Sequence, residues 1–542
     1  MKLELAQINT DPGCIEKNTQ KIISYIEQAK LNKSDLIVFP ELTIPGYMSM
    51  DLLLYSDYIS QNKEALSRIV AATEGITAIV GFVDSDPNII GPDGTPIRFN
   101  SAAILQNGKI LGIEDKTLLP TYDVFYETRY FSANRSHKLY EVCGKKLGIE
   151  ICEDLWSNGY QKNVTSELVE KGADVLINIS ASPFYLDKFN VRKNLIERVV
   201  NTYKKPFIYT NLVGSQDGYD GQLVFDGQSI VLGADGKLLG LGKAFEEDSV
   251  KVDLDNPKEI LPQNTDSIDQ LNKALVLGIK EYFRRSNFNK AFIGLSGGID
   301  SAVVAALATQ ALGKENVTGI TMPSRISSSG SVDDARKLSE NLGINFQIIP
   351  IEETRKTLVG EISQVLQKDP KDLTNQNIQA RIRGMILMAQ ANEENALVIS
   401  TGNKTETALG YCTLYGDMAG GLAAISDVDK LKVYELANLY RKVIPRNSII
   451  KEPSAELSEN QTDEGSLGAD YDLIVPIVNR LIEDRATIEE VLKEYPRPLV
   501  EKYWDLIIRN EHKRRQAAPG IKVTPKSFGI GRRIPISHEF RR

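Results

Sequence analysis

Cysteine and histidine are scarce in this chain, with four cysteines (Cys14, Cys143, Cys152, Cys412) and three histidines (His137, His512, His538) in 542 residues. No two cysteines stand as CxxC or at any other metal-ligand spacing, so a zinc site is unsupported, and a chain this long does not depend on disulfides. A reducing cytoplasm is expected. Long apolar runs are absent too. Nothing reaches the roughly 18 consecutive apolar residues of a membrane span, and the start MKLELAQINTDPG has no apolar core behind a positive charge, so neither a membrane anchor nor export is expected. An overall positive charge is also missing. Sixty-four Lys and Arg against 72 Asp and Glu leave a net charge of −8, which argues against a nucleic-acid partner and leaves small-molecule substrates. Acidic substrates would need a local basic patch. Gly, Pro and aromatic contents are those of an ordinary globular chain, which excludes collagen-like and mainly disordered classes.

What is present is length and rhythm. The chain exceeds what one hydrophobic core serves, so two domains are expected. Apolar runs such as LELAQI (3–8), DLIVF (35–39), ITAIVGF (76–82), KLGIEI (146–151) and DVLINI (174–179) read as buried strands. Amphipathic stretches separate them, as in 16–30 with Ile22, Ile23 and Ile26 on one face. This is an α/β pattern. A polar, proline-containing stretch then marks a linker at 251–267 between a domain of 1–250 and a second of 268–542. In the latter, KAFIGLS (290–296), VTGITM (317–322), FQIIPI (346–351) and ALVIS (396–400) alternate with helical runs, as in a doubly wound parallel sheet.

The strongest local signal is GLSGGIDS (294–301), which closes an apolar strand and opens an alanine-rich helix. Glycines let backbone approach an anion, and a helix start offers free N–H groups and a positive dipole end. The Walker lysine is missing, and so is GxGxxG. A plain glycine-rich turn is the bland alternative, but serines and an aspartate among the glycines suit phosphate and Mg²⁺. SGGIDS resembles the pyrophosphate loop of N-type ATP pyrophosphatases, which cleave ATP between its α and β phosphates and adenylate a substrate. Mg²⁺ needs hard oxygen ligands; Asp300 is the first candidate and Glu406, in the strand-end loop TGNKTETALGYCTLYGDMAGG (401–421), the second.

That loop, with NQNIQARIRGMILMAQA (375–391) and KVTPKSFGIGRR (522–533), resembles the NAD⁺ synthetases over most of 268–542. The resemblance implies a Rossmann-like domain of the adenine nucleotide alpha hydrolase type. It also implies contacts to ATP from Gly294, Leu295, Ser296, Gly297, Gly298, Ile299, Asp300, Ser301 and Thr401. Deamido-NAD⁺ (nicotinic acid adenine dinucleotide) would be bound by Asn377, Glu406 and Lys526, and Mg²⁺ by Asp300 and Glu406. For Asn377 and Lys526 alone, an exposed polar residue is the plainer account; the motifs lift them. PSRISSSGSVDDA (323–335) stands where that family has a mobile loop, but its serine-rich wording departs from the pattern and assigns no roles. Residues 513–542 carry nine Lys or Arg against one Glu. They would either offset nucleotide charge or form a solvated tail.

An amide-forming ligase needs nitrogen, and free ammonia is mostly protonated at neutral pH. Cys152 ends the strand KLGIEIC, so its thiol projects at a strand terminus. A thiolate nucleophile needs a base or cationic neighbours, yet no histidine stands in a triad setting. FPELTIPGY (39–47) instead places Glu41 after a strand, and EDKTLLPTYDVFYETRYF (114–131) places Lys116 before a loop. Glu41, Lys116 and Cys152 with these flanks resemble the Glu-Lys-Cys set of the nitrilase superfamily, which implies an α-β-β-α sandwich over the first 250 residues. Singly, each has a plainer account: a helix-start charge, a surface cation, a buried thiol. Tyr122, Glu127, Ser182 and Lys188 match glutamine-binding positions of the glutaminase branch, with Glu127 alternatively positioning Lys116. Cys14, Cys143 and Cys412 remain as packing residues.

The two halves together resemble the glutamine-dependent NAD⁺ synthetases, ligases that amidate deamido-NAD⁺ with ammonia from L-glutamine at the expense of ATP. The resemblance implies an adenylated intermediate, AMP and diphosphate as products, a homo-oligomer, and an enclosed ammonia passage. Three rivals stand beside it. A glutamine-fed ATP pyrophosphatase acting on another carboxylate is opposed by the motifs at 401–421 and 522–533. An RNA-thiolating enzyme would need cysteines near the nucleotide loop. A nonenzymatic nucleotide sensor would have no use for a nucleophile.

Overall fold

The structure is a computed structural model that describes residues 1–91, 94–134, 136–261, 266–529 and 531–540. Residues 262–265 of the expected linker, and Ile530, Arg541 and Arg542 of the basic run, lie outside the described residues. The chain divides into two compact units, Met1–Gly218 with Leu223–Asp266, and Tyr219–Gln222 with Ser267–Arg542.

In the first unit the apolar runs form two six-stranded sheets. One has the order Asp248–Asp253, Lys2–Gln7, Leu36–Val38, Thr77–Ile90, Pro96–Gln106, Lys109–Asp115; the other Leu238–Leu241, Ile230–Leu232, Phe207–Asn211, Val175–Ser180, Lys145–Ile151, Leu139–Val142. Side chains alternate along a strand, and both faces of the central strands Leu36–Val38, Val175–Ser180 and Phe207–Asn211 are dry. Val175, Ile177 and Ile179 join Leu3, Leu5, Val38 and Ile104 in a core between the sheets, while Leu176 packs outward with Leu168, Ile196 and Phe207 under helices Val164–Glu170 and Lys188–Tyr203. Helices Ile15–Leu31 and Ser56–Ala71 pack on the first sheet. The result is the α-β-β-α sandwich expected. Helix Ile15–Leu31 buries Ile15, Asn18, Thr19, Ile22, Ile26 and Ala29, the 3.6-residue period of a one-sided helix; Ile23 falls at its edge, half-buried. The outer strand Asp248–Asp253 pairs antiparallel with Lys2–Gln7, so this sheet runs past residue 250.

The strands Gly520–Lys522, Leu422–Ala423, Leu397–Ser400, Ala291–Gly294, Val317–Thr321 and Asn345–Ile348 neighbour one another in that order in the second unit, all parallel. Counted along the chain this is 3-2-1-4-5-6, the doubly wound order, whose direction reverses between Ala291–Gly294 and Leu397–Ser400. Ligands of such sheets bind beyond the carboxyl ends of the strands at that reversal. The two loops leaving those strands are 295–298, inside GLSGGIDS, and 401–403, at the head of TGNKTE.

Two sequence expectations need correction. Cys14 and Cys143 do not pack; they are exposed, and Cys412 is only partly buried. Cys14 precedes the helix that starts at Ile15, and Cys143 sits in the turn between two strands with a φ of 51°. The basic terminal run is not wholly a solvated tail. Arg514 is buried, donating to the carbonyl oxygens of Thr407 at 3.2 Å and Ala408 at 2.7 Å; Lys522 is buried on those of Thr524 at 2.6 Å and Pro525 at 3.1 Å. Among the described residues no helix is long and apolar enough to cross a membrane.

Ile177 lies at the centre of the inter-sheet core. Ile177→Ala should lower the unfolding free energy of its unit by about 2–5 kcal/mol, read from urea unfolding.

Candidate active sites

Three strand ends deliver the front site. Glu41 follows the strand Leu36–Val38, Lys116 follows Lys109–Asp115, and Cys152 follows Lys145–Ile151. The Lys116 Nζ stands 2.7 Å from Glu41 Oε1 and 2.8 Å from Glu127 Oε1, and all three side chains are buried. Asn100 Nδ2 donates to Glu41 Oε1 at 2.7 Å and the Ala181 N–H to Glu41 Oε2 at 3.0 Å, which orients the carboxylate. Tyr47 donates to Glu127 Oε1 at 3.0 Å. Glu127 Oε2 is buried and finds no hydrogen-bond partner among the described residues.

The charges answer one another. Burial disfavours the Lys116 ammonium, but Glu127 and Glu41 outweigh it and hold the proton on well above the ordinary lysine range. Burial pushes Glu127 up to about 7 against the pull of Lys116, with Glu41 adding to the rise. The buried Cys152 thiol is driven well above its ordinary value by desolvation and by Glu41, with Lys116 opposing. Cys152 has a φ of 46°, a left-handed conformation costing a non-glycine residue about 1–2 kcal/mol, at the head of the short turn Cys152–Leu155.

Around the thiol, Tyr122 is half-exposed and donates to Glu153 at 2.9 Å. The Ser182 N–H donates to Asn211 Oδ1 at 3.0 Å. Lys188 lies over the Trp156 ring at 4.1 Å and near the Tyr185 ring at 5.0 Å, and burial, aided by Arg192, lowers it to about 8.

In the second unit, a cavity of about 270 Å³ opens at the sheet reversal, lined by Gly294, Leu295, Ser296, Gly298, Ile299, Asp300, Ser301, Thr401 and Glu406. This is near the lower limit of a small-molecule site. Gly297, Asn377 and Lys526 are not in that lining. Gly297 has a φ of 75°, and a Cβ there would meet the Ser331 carbonyl oxygen at 2.3 Å, so glycine is required by backbone approach. Asn377 Oδ1 accepts from the Thr413 hydroxyl at 2.9 Å, and Lys526 Nζ donates to the Gly531 carbonyl at 3.4 Å.

Sequence reasoning missed Lys430. Its buried Nζ stands 2.6 Å from Asp300 and 3.4 Å from Glu406, over the Tyr471 ring at 5.1 Å. Burial and Asp300 push Glu406 up to about 8, against Lys430. The turn carrying Glu406 makes four contacts that tie three other pieces of the chain together. Asn403 Nδ2 holds Asp300 at 2.9 Å, Lys404 Nζ holds the Lys526 carbonyl at 2.8 Å, Thr405 Oγ1 accepts from the Lys430 N–H at 3.2 Å, and Glu406 faces the Lys430 ammonium. The apolar-run pattern gives no sign of these; the one signal was the density of polar residues in GNKTE.

Known proteins share both halves. The family model described as carbon-nitrogen hydrolase matches residues 2–258, and that described as NAD synthase matches residues 271–517. An amide-cleaving unit joined to a nucleotide-site synthase defines the class, a ligase fed by amide hydrolysis. The chain is 40% identical to the glutamine-dependent NAD(+) synthetase of Synechocystis sp., covering 99% of each protein. It is 37% identical to that of Thermotoga maritima, covering 100% of this chain and 99% of the relative. Among solved structures, the glutamine-dependent NAD⁺ synthetase of Acinetobacter baumannii in complex with ADP aligns with a TM-score of 0.77 at 35% identity, over 99% of this chain and 98% of that one. That of Cytophaga hutchinsonii aligns with 0.84 at 25% identity, over 99% and 97%. The chain belongs to the glutamine-dependent NAD(+) synthetase family.

Removing Lys430 strands two carboxylates. Lys430→Met should cost the second unit about 3–5 kcal/mol. The loss should be greatest at alkaline pH and shrink as pH falls and Glu406, already pushed up to about 8, takes a proton; urea unfolding across pH checks it.

Proposed function

We propose how the residues of this ligase, which amidates deamido-NAD⁺ with glutamine nitrogen and ATP, divide the work. The observation that carries the proposal is the dry Glu41–Lys116–Glu127 cluster beside Cys152. A thiol whose proton is held this firmly at rest must lose it during attack, and Glu41 is the base that takes it. The sulfur bonds to the glutamine amide carbon while the Lys116 ammonium stabilises the developing oxyanion. The C–N bond breaks, the amide nitrogen takes a proton and leaves as ammonia, and water then cleaves the thioester to glutamate and restores the thiol. The unpartnered Glu127 Oε2 accepts from the substrate amide N–H. Lys188 pairs with the α-carboxylate, and Tyr122 and Ser182 complete the glutamine site.

In the second unit, the loop Gly294–Ser301 and Thr401 hold ATP, while Asn377, Glu406 and Lys526 bind the deamido dinucleotide. The dinucleotide carboxylate attacks the α-phosphorus, diphosphate leaves, and ammonia displaces AMP from the acyl carbon. Asp300 and Glu406 fit Mg²⁺. Both are hard oxygen donors converging on one ammonium, and Mg²⁺ is often held by one or two carboxylates plus substrate phosphates. No set of three or more metal-binding side chains occurs among the described residues, so phosphate oxygens would complete the shell. Bound Mg²⁺ would neutralise phosphate charge; Lys430 restrains the two carboxylates. The four cysteines, all free, suit a cytoplasmic enzyme.

Cys152→Ala should abolish glutamine-fed NAD⁺ formation, by about 10³-fold or more, and leave the ammonium-fed reaction, with AMP and diphosphate as co-products. Loss of both in folded protein overturns the division of labour. Lys188, lowered to about 8, loses its charge as pH rises through that value, so the KM for glutamine should rise above it. Lys188→Arg, which stays charged, should delay the rise; steady-state kinetics against pH tests this.

A further inference from the structure

One buried carboxylate grips both arms of the front site. Asp154 Oδ1 accepts the backbone N–H groups of Thr117 at 3.1 Å and Leu118 at 2.8 Å, the two residues that follow Lys116. Its Oδ2 accepts the N–H of Ile151 at 3.0 Å, the residue before Cys152. The side chain is fully buried. The Ile151 bond closes a clasp around Cys152, whose left-handed φ of 46° needs such support. Asn178 Nδ2 adds a bond to the Cys152 carbonyl at 3.3 Å.

The other arm is fixed twice. The Thr117 hydroxyl meets His137 Nε2 at 3.0 Å, and His137 Nδ1 meets Glu114 Oε1 at 2.6 Å; Glu114 lies on the strand that ends just before Lys116. Residue 117 is therefore held through its side chain by the His137–Glu114 pair and through its backbone by Asp154. Three N–H donors arrive at two oxygens, a demand that a carboxylate, acceptor on both oxygens, meets and an amide does not.

We propose that Asp154 is a positioning residue for the glutaminase half-reaction, locking the Lys116 ammonium and the Cys152 thiol into one frame. The inference rests on the reading of Cys152 as nucleophile and Lys116 as its oxyanion partner. Asp154 touches no reacting atom. It acts by fixing the distance between two groups that do, and a misplacement of about 1 Å costs such a step on the order of 10²-fold.

The test uses the full chain. Asp154→Asn keeps one acceptor for Thr117 and Leu118 but turns an N–H₂ group towards the Ile151 N–H. It should lower glutamine-fed kcat by about 10- to 100-fold with the glutamine KM within about twofold, and leave the ammonium-fed rate near that of the parent, with the first unit still folded at the assay temperature though melting somewhat lower. Asp154→Ala, which removes all three bonds, should lose more. A glutamine-fed kcat equal to the parent's in Asp154→Asn overturns the proposal. So does a loss that only follows the fraction of unfolded protein, or a rise in KM with kcat intact. Cys152→Ala is run alongside; if it still consumes glutamine, it is the underlying assignment of the nucleophile that fails.

Discussion

An ammonium without contact to water survives only beside compensating charge, and Lys116 meets that condition with Glu41 and Glu127 at once. Withdrawing an ion from water costs several kcal/mol, and removing one member of such a cluster strands the others. The three side chains therefore have little freedom to rearrange. Burial above all, and then the negative charge of Glu41 against the opposing Lys116 ammonium, holds the Cys152 thiol protonated. The resting thiol is thus quiet, and the nucleophilic role proposed for it depends on a proton acceptor already in place.

The second unit uses the same device with a different boundary. Lys430 bridges Asp300 and Glu406, but their side chains keep about 18% exposure where that of Lys430 keeps 2%. In the front cluster the Lys116 and Glu41 side chains keep no exposure and that of Glu127 keeps 8%, as would suit the acid–base role proposed for it. The rear one presents two oxygen-bearing groups to a cavity, as suits phosphates and a cation. A third buried lysine, Lys404, contacts Asp427 at 3.0 Å and Glu483 at 2.6 Å, and its grip on the Lys526 carbonyl turns electrostatics into placement of a loop.

Legibility followed physical cause. Strands dry on both faces read as continuous apolar runs, so most sandwich strands and the four parallel strands from Ala291 to Ser400 were visible, while the short Leu422–Ala423 and Gly520–Lys522 were not. Lys109–Asp115 was missed because its first three residues are exposed, and Asp248–Asp253 because it is a sheet-edge strand with alternating burial. Glu41 and Cys152 each stand at the end of an apolar run and Lys116 does not; all three were legible through the resemblance of their flanking motifs to the nitrilase set. Lys430 was not, since it starts the helix Lys430–Leu439 and nothing local in DVDKLKVYEL tells a buried lysine from an exposed one. Arg514 and Lys522 misled for the same reason: charge counted along the chain does not reveal which cations are spent on carbonyl oxygens. The exposed Cys14 and Cys143 belong to turns, where composition says little.

The pairing of Lys2–Gln7 with Asp248–Asp253 has a consequence for synthesis on the ribosome. The earliest strand acquires its outer neighbour only after residue 253 has been made, on the order of tens of seconds later at cellular elongation rates. Until then Leu3 and Leu5 border an unpaired edge, the kind of surface that recruits foreign strands. A nascent chain of this design has reason to be met by a chaperone before its first sheet is closed.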